Sequence, residues 1–493
     1  MSPGLLTSWI KGCTSPDELL SLVEHHGQAF NYIHSAAALN QAAQMLARTG
    51  RVFPRGGIKH MVQLAWDQLP SMEARQLANT AYSLAKLGHR DNDFMAALLR
   101  EAEPRLRDFE PQHLANTVWA LATLDIHADS TFTAALLKEA MQKLRDFNPQ
   151  NLANTVWALA KLQNYDGAFM AALFKEAMPR LRDFNPQNLA NTLWALGTLG
   201  HTDGAFMAAL LKEAMPRLRD FNPQNLANTL CALATLGHTD GSFMAALLKE
   251  AMPRLRGFTS QDLANTLWAL ATLGHTDGAF TAALLKESMP RLPDFTPQNL
   301  ANAAWALAAL DHADDAFMAA LLQQAAIMVP SFDDEGLTQL FLCDLWLKDR
   351  HSDVAAPAQL AAACKMAWME EGDNPLPSQV QLEVLAVVRQ LPGCSDATSE
   401  QATDDGLFSI NIAVQLPDGS RLAVEVDGPS HFLRNPPGRL NGAALLRNRL
   451  LEARGWRVVS VPVMTGWVPR AKQGQQAAQE YLLSLGVGPV LVF

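Results

Sequence analysis

Five cysteines, Cys13, Cys231, Cys343, Cys364 and Cys394, are spread through 493 residues, and no two have CxxC spacing. That excludes a cysteine-based zinc site and a disulfide framework, and it fits a reducing compartment. No apolar run is long enough to cross a membrane, so no membrane insertion is expected. Positive charge is not in excess either: 39 Lys and Arg stand against 49 Asp and Glu, a net charge of −10. A protein that coats nucleic acid over its whole surface is basic, so any such binding here has to come from a local stripe. No phosphate-binding P-loop, kinase-type glycine loop or nucleophile triad is present, which leaves a kinase reading without support. The first thirty residues carry Asp17, Glu18 and Glu24 and few arginines, a poor match to an acid-poor transit peptide. Either the N-terminus lies further upstream or import is not visible in these residues.

What is present is a repeat. The string LANT and its variants place an asparagine at Asn79, Asn116, Asn154, Asn191, Asn228, Asn265 and Asn302, spaced by 37 residues and once by 38. The extra residue falls where DIHADS replaces a shorter turn, and a solenoid tolerates an insertion there. One unit reads FNPQNLANTLWALGTLGHTDGAFMAALLKEAMPRLRD. Asn185 followed by Pro186 predicts an N-cap and first helical residue. Leu189, Leu193 and Leu196 share a helical face, and Gly200 is suited to a left-handed helix end. Asp203 then caps a second helix carrying Phe206, Leu210 and Leu211, which Pro216 interrupts. Each unit is a helix–turn–helix pair that must stack to bury its apolar face. The expected fold is mainly α, a right-handed α-solenoid. Asn40 marks a degenerate earlier copy, and EGLTQLFLCDLWL near Leu337 a later one. The aromatic position, Tyr82, Trp119, Trp157, Trp194, Cys231, Trp268 and Trp305, reads as core, with a looser core at Cys231.

Two stripes are candidates for contact with nucleic acid. On the first helix the position before the constant asparagine varies but stays polar: Gln76, His113, Asn151, Asn188, Asn225, Asp262 and Asn299. Such variation fits either one-base-per-repeat reading or neutral drift. The constant asparagines read as a structural ladder serving backbone groups between repeats. The second stripe is cationic: Arg105, Lys143, Arg180, Arg217, Arg254 and Arg291, followed two residues on by Arg107, Arg145, Arg182, Arg219 and Arg256. A ladder of cations one repeat apart suits a phosphate backbone, and neighbouring acids make a solvated face the alternative.

From about Glu400 the pattern changes. LFSINIAVQL and RLAVEVD are β-rich runs joined by a Pro417–Ser420 turn, GAALLRNRLLEARG is a helix, WRVVSVPV a strand, and a last helix follows. With a helix near Gln379–Gln390 in front, the expected order is α-β-β-α-β-α. The residues VEVDGPSHF, LLRNRLLEARGWRVVSVPV and a final YLLSL resemble the RAP domain over roughly 407–485. The repeats resemble the octotricopeptide and heptatricopeptide families of algal chloroplast translation factors, and the same C-terminal domain ends the FAST-kinase-like mitochondrial RNA factors. This resemblance implies an array at 71–330, an N-terminal helical cap at 1–70, a degenerate cap and linker at 331–400, and a small α/β RAP domain at 401–493. It implies single-stranded RNA as partner, with organellar RNA-processing or ribosomal proteins as further partners. It also implies an organellar setting, chloroplast ahead of mitochondrion. The RAP fold looks like a restriction-endonuclease core, so Glu383, Glu425, Asp427 and His431 would be its Mg²⁺-dependent cleavage residues. Asn411 stands where the nuclease-like aspartate belongs and Asp427 where a lysine is expected, which weakens that reading. The expectation is a non-catalytic RNA-binding factor without metal or cofactor. An endonuclease and a protein-binding scaffold are its rivals.

Overall fold

A computed structural model describes residues 3–164, 166–201, 203–371, 376–436 and 438–489. The chain divides into two compact units, Met1–Arg217 and Leu218–Phe493. Seven helix pairs follow one another. Their first (A) helices are Ala74–Lys86, Pro111–Leu124, Pro149–Lys161, Pro186–Leu199, Pro223–Leu236, Ser260–Thr272 and Pro297–Leu310. Their second (B) helices are Asn92–Ala102, Ser130–Lys143, Gly167–Ala177, Gly204–Ala214, Gly241–Ala251, Gly278–Ser288 and Asp315–Ile327. We number these pairs repeats 1 to 7.

The local causes are the same in each copy. In repeat 4 proline occupies the first turn of the A helix, and the helix ends at Gly200 with φ 61°. The next helix starts where Asp203 Oδ1 accepts the Phe206 amide at 3.0 Å. A short 3₁₀ segment, Met178–Asp183 in repeat 3, closes the unit around its proline. Phenylalanines such as Phe169, Phe206 and Phe243 are fully buried, as are the A-helix leucines. Neighbouring A helices pack side by side within each unit, and a helix pair alone has no such partner. The array is extended by Tyr32–Thr49 before repeat 1 and by Asp334–Asp349 after repeat 7, which pack on its A helices.

The C-terminal part contains a four-stranded sheet in the order β1 (Thr398–Ala402), β2 (Ser409–Gln415), β3 (Arg421–Asp427), β4 (Trp456–Pro462). The first two pairings are antiparallel and the last is parallel. The expected element order lacked β1. Its residues TSEQA lack apolar alternation because it is an edge strand, mostly exposed. Helices Gln379–Val388 and Gln475–Ser484 bury Val384, Val388 and Leu482 with Ile412, Val424 and Val461 of the sheet.

Helix Gly442–Ala453 joins β3 to β4 and also packs on the A helices of repeats 6 and 7. Donors from this region reach the helix ends of repeats 5, 6 and 7 and of the helix that follows them. The Arg434 and Asn435 amides donate to Gly237 O (2.8 and 3.1 Å), and Arg439 Nη2 donates to Gly274 O (2.7 Å). Arg449 Nη1 donates to Ala308 O (2.6 Å), and Arg454 Nη1 pairs with Asp349 at 3.0 Å. Gly237 O and Gly274 O lie just past their helices, so these donors satisfy carbonyls that would otherwise need water, while Ala308 O also accepts the Asp311 amide at 3.2 Å. The backbones come so close that a Cβ on Gly442 would lie 2.0 Å from Ala271 O. Gly442→Ala is therefore expected to cost about 1–3 kcal/mol, read as a lowered thermal midpoint of the full chain. Gly278→Ala, at the same first-turn position of a repeat helix with nothing within 4 Å of its Cβ, is the neutral control.

Candidate nucleic-acid interface

The two expected contact rows have structural employment. Each A helix from repeat 2 onward begins with a capping box whose third residue is the varying polar position. Asn188 Oδ1 accepts the Asn185 amide at 3.2 Å, while Asn185 Oδ1 accepts the Asn188 amide at 2.8 Å. His113, Asn151, Asn225, Asp262 and Asn299 do the same, and all are buried. Gln76 is half-buried and makes no such box. The expected base-reading row is thus a row of helix caps. The position stays polar because an acceptor is needed there, and it varies because several side chains can supply one.

The first cation row is also committed. Arg180 Nη1 and Nη2 donate to Phe147 O (2.6 Å) and Arg145 O (2.7 Å) of the preceding repeat. Lys143 does so to Arg107 O (2.7 Å) and Phe109 O (2.6 Å), and Arg254 to Arg219 O (2.7 Å). Arg217 reaches Phe184 O and Arg182 O, Arg291 reaches Phe258 O and Arg256 O, and Arg105 reaches Pro70 O. Five of these, the arginines, also pair with a glutamate one turn back. They are clamps between repeats and not the phosphate contacts that the sequence suggested. The second row differs. Arg145, Arg182, Arg219 and Arg256 are 89%, 78%, 76% and 89% exposed at the side chain. Arg107 is exposed as well. Their ion pairs are long, 3.5–4.0 Å, and exposed pairs of this kind contribute little.

The open face of the A helices carries other residues. In repeat 4 it is Gln187, Asn191, Trp194 and Thr198, spaced by four, three and four. Equivalent glutamines Gln112, Gln150, Gln224, Gln261 and Gln298 are exposed in their repeats. The constant asparagines sit beside them, Asn116 buried at 8% and the others half-buried. No hydrogen bond from their side chains was found among the described residues, so they are not the structural ladder expected. The tryptophans are not core either: Trp119, Trp157, Trp194 and Trp268 are half-buried on this face, and only Trp305 is buried, at 8%. In the first unit the rings form a file, with centroids 5.1 Å apart for Tyr82–Trp119, 6.4 Å for Trp119–Trp157 and 6.2 Å for Trp157–Trp194. Lys86 lies over Trp119 at 4.8 Å and Lys161 over Trp157 at 5.4 Å. The signal that marks this face in sequence is the i, i+4, i+7 spacing of Gln, Asn and Trp, which an apolar reading of the indole conceals.

In the C-terminal domain, β3 places Glu425 and Asp427 on one face, 3% and 4% exposed. Arg447 Nε donates to Glu425 Oε2 at 2.9 Å, and the Asn411 amide reaches Oε1 at 3.4 Å. Asn411 Oδ1 in turn accepts the Val426 amide at 2.9 Å. His431 Nδ1 lies 3.0 Å from Asp427 Oδ1, while Asp427 Oδ2 is buried without a hydrogen-bond partner. The hydrogen bond to Asp427 holds the His431 imidazole above its usual range, against burial, which acts the other way. Glu383 is exposed on its helix and meets Gln379 Nε2 at 3.4 Å. Among the described residues no three His, Cys, Asp or Glu side chains converge to hold a metal. Arg447, Arg449 and Arg454 of this domain are engaged within the protein, and Arg454 is only 12% exposed.

Stacked helix pairs with a repeated polar and aromatic face, followed by a small α/β domain, define a helical-repeat protein. The family described as Tbc2 translation factor, N-terminal domain, matches residues 74–164, 128–205 and 201–325, and the RAP domain matches 424–465. Together the first three spans cover more than half of the chain, which belongs to this Tbc2-type repeat family and ends in a RAP domain. The two domains mark an RNA-binding factor of organellar translation or gene expression. No curated protein matches the chain. Among solved structures, one described as a homology model of the full-length AP-3 complex in an intermediate open conformation aligns at 8% identity over 74% of this chain and 73% of that one. Its TM-score is 0.25, too low to define fold or function.

Arg180→Ala is expected to destabilise the first unit by about 1–3 kcal/mol, because a part-buried carbonyl, Phe147 O, and the exposed Arg145 O lose a charged donor. Thermal unfolding of the full chain measures this. His431, with its pKa raised in the fold, contributes stability while protonated, below the ordinary imidazole range, and loses it as pH rises through the raised value. The thermal midpoints of wild type and His431→Gln should therefore differ at about pH 5.5 and converge by about pH 8.5; parallel curves would remove the pair from the stability of this domain.

Proposed function

We propose that this chain is a sequence-specific, single-stranded-RNA-binding factor that acts on organellar transcripts, in their stability, processing or translation. The observation that carries the reading is the open face of the A helices. Repeats 2, 3, 4 and 6 present an exposed glutamine and the constant asparagine next to a half-buried tryptophan, while the varying polar position and the first cation row are committed to caps and clamps. Single-stranded RNA offers bases to stack and edges to pair, which suits such a surface. The exposed arginines Arg107, Arg145, Arg182, Arg219 and Arg256 supply the phosphate contacts. The net charge of −10 restricts binding to that local stripe. The chloroplast is the favoured compartment, in keeping with the chloroplast association of Tbc2 translation factors.

RNA cleavage gains no support from the RAP acids, since Glu425 is paired with Arg447 at 2.9 Å. RNA incubated with the protein and Mg²⁺ is expected to stay intact. Cleavage abolished by Glu425→Ala would reverse this assignment.

Selection from a random single-stranded RNA pool near physiological salt tests the main reading, with a shared motif of roughly one nucleotide per repeat as the expected result. Retention of no RNA would shift the function to binding a protein. Arg145→Glu combined with Arg182→Glu should weaken binding and lower the slope of log affinity against log salt by about 0.7 for each lost phosphate contact. An unchanged slope would take this row out of the interface.

A further inference from the structure

The open face is nearly invariant along the array. Its glutamine is the same in repeats 2 to 7, its asparagine in all seven, and its ring is tryptophan in repeats 2, 3, 4, 6 and 7. The polar position that does vary is closed off in the capping boxes. A surface that repeats the same groups at each step offers each successive nucleotide the same partners, so it cannot favour different bases at successive positions. We propose that the RNA recognised by this array is a run of adenines, each base stacked on the indoles and paired at its edge by the carboxamides. This deepens the RNA-binding function proposed above and rests on it.

Three observations support the assignment. A carboxamide offers a donor and an acceptor side by side, the pattern that matches adenine N6 and N7 in two hydrogen bonds. The constant asparagines and glutamines are both carboxamides, and the asparagine side chains make no hydrogen bond among the described residues. The rings are also spaced for bases. A base held between two rings separates them by about 7 Å, two stacking distances of ~3.4 Å each. The Trp119–Trp157 and Trp157–Trp194 centroids are 6.4 and 6.2 Å apart with interplanar angles of 31° and 38°. A small rotation of each indole opens the gap. The Tyr82–Trp119 gap is narrower, 5.1 Å, and Lys86 lies over both of its rings. The file of open gaps therefore begins at Trp119, and Trp157 borders two of them. Lys161, over the face of Trp157, moves to a phosphate when a base enters. Repeat 5 has Cys231 in place of the ring and keeps its amides Gln224 and Asn228.

The test uses the full chain and four 12-nucleotide homo-oligomers, rA, rC, rU and rG, in lithium buffer to keep the guanine run single-stranded, alongside a random 12-mer pool. The expected result is that rA binds at least tenfold more tightly than each of the others and quenches part of the indole emission. Trp157→Leu should weaken rA binding roughly tenfold, and Trp157→Phe should largely retain it. A mixed sequence or another homo-oligomer binding as well as rA overturns the adenine run while leaving RNA recognition intact. Binding of rA with unchanged emission and unchanged affinity in both variants overturns the stacking. If no RNA binds to the wild type, the function on which the inference rests fails first. Quenching in the wild type needs no variant, so the stacking stays testable even if Trp157→Leu does not fold.

Discussion

The final turns of repeats 1 to 5 end in backbone carbonyls to which the next repeat supplies a side-chain donor. Arg180 reaching Phe147 O and Arg145 O is one example, and Lys143 reaching Phe109 O is another. A helix pair without a neighbour would leave those carbonyls to water and its leucines exposed, so repeat and array are stable only together. The same need recurs at the start of each A helix from repeat 2 onward, where the capping box satisfies the first free amides. Once these two demands are met, few polar side chains are left over, and those few define the surface with which the array can act.

That surface is the line of glutamine, asparagine and indole on the A helices. Its rings are held partly open because each lies on the helix edge between the buried leucines and the solvent-facing amides. Tryptophan suits such a position, having a large apolar body that need not be fully covered. Where the ring is absent, at Cys231, the thiol points toward Asn265 O at 3.7 Å. The helix packing there does not depend on an indole.

The C-terminal domain meets the same kind of free carbonyl. Its loop and crossover helix give two amide donors to the turn at Gly237 and one arginine each to Gly274 and Ala308, so the spacing of the repeats is matched by the spacing of residues 434, 439 and 449. Arginines that look in sequence like a basic patch are drawn inward by this docking and by Glu425 and Asp349. The acids that resemble a nuclease centre are balanced by Arg447 and His431 in the same way.

The amino-acid sequence by itself determined the repeat, its period, its helix starts at Asn185 and Asp203, its left-handed end at Gly200, and the α/β character of the last hundred residues. These depend on local signals, a cap, a proline, a glycine and the apolar spacing, whose physical effect reaches only a few residues. It did not disclose β1, an edge strand with no apolar alternation, whose existence depends on pairing with β2. Nor did it separate the two arginine rows, or the capping polar position from the constant asparagine. A side chain two residues further along a 3₁₀ turn points elsewhere, and a donor shows its partner only when the preceding repeat is stacked against it. Tertiary structure alone decided which polar groups were consumed in holding the repeats together, because hydrogen bonds between residues some 35 positions apart leave no trace in local pattern.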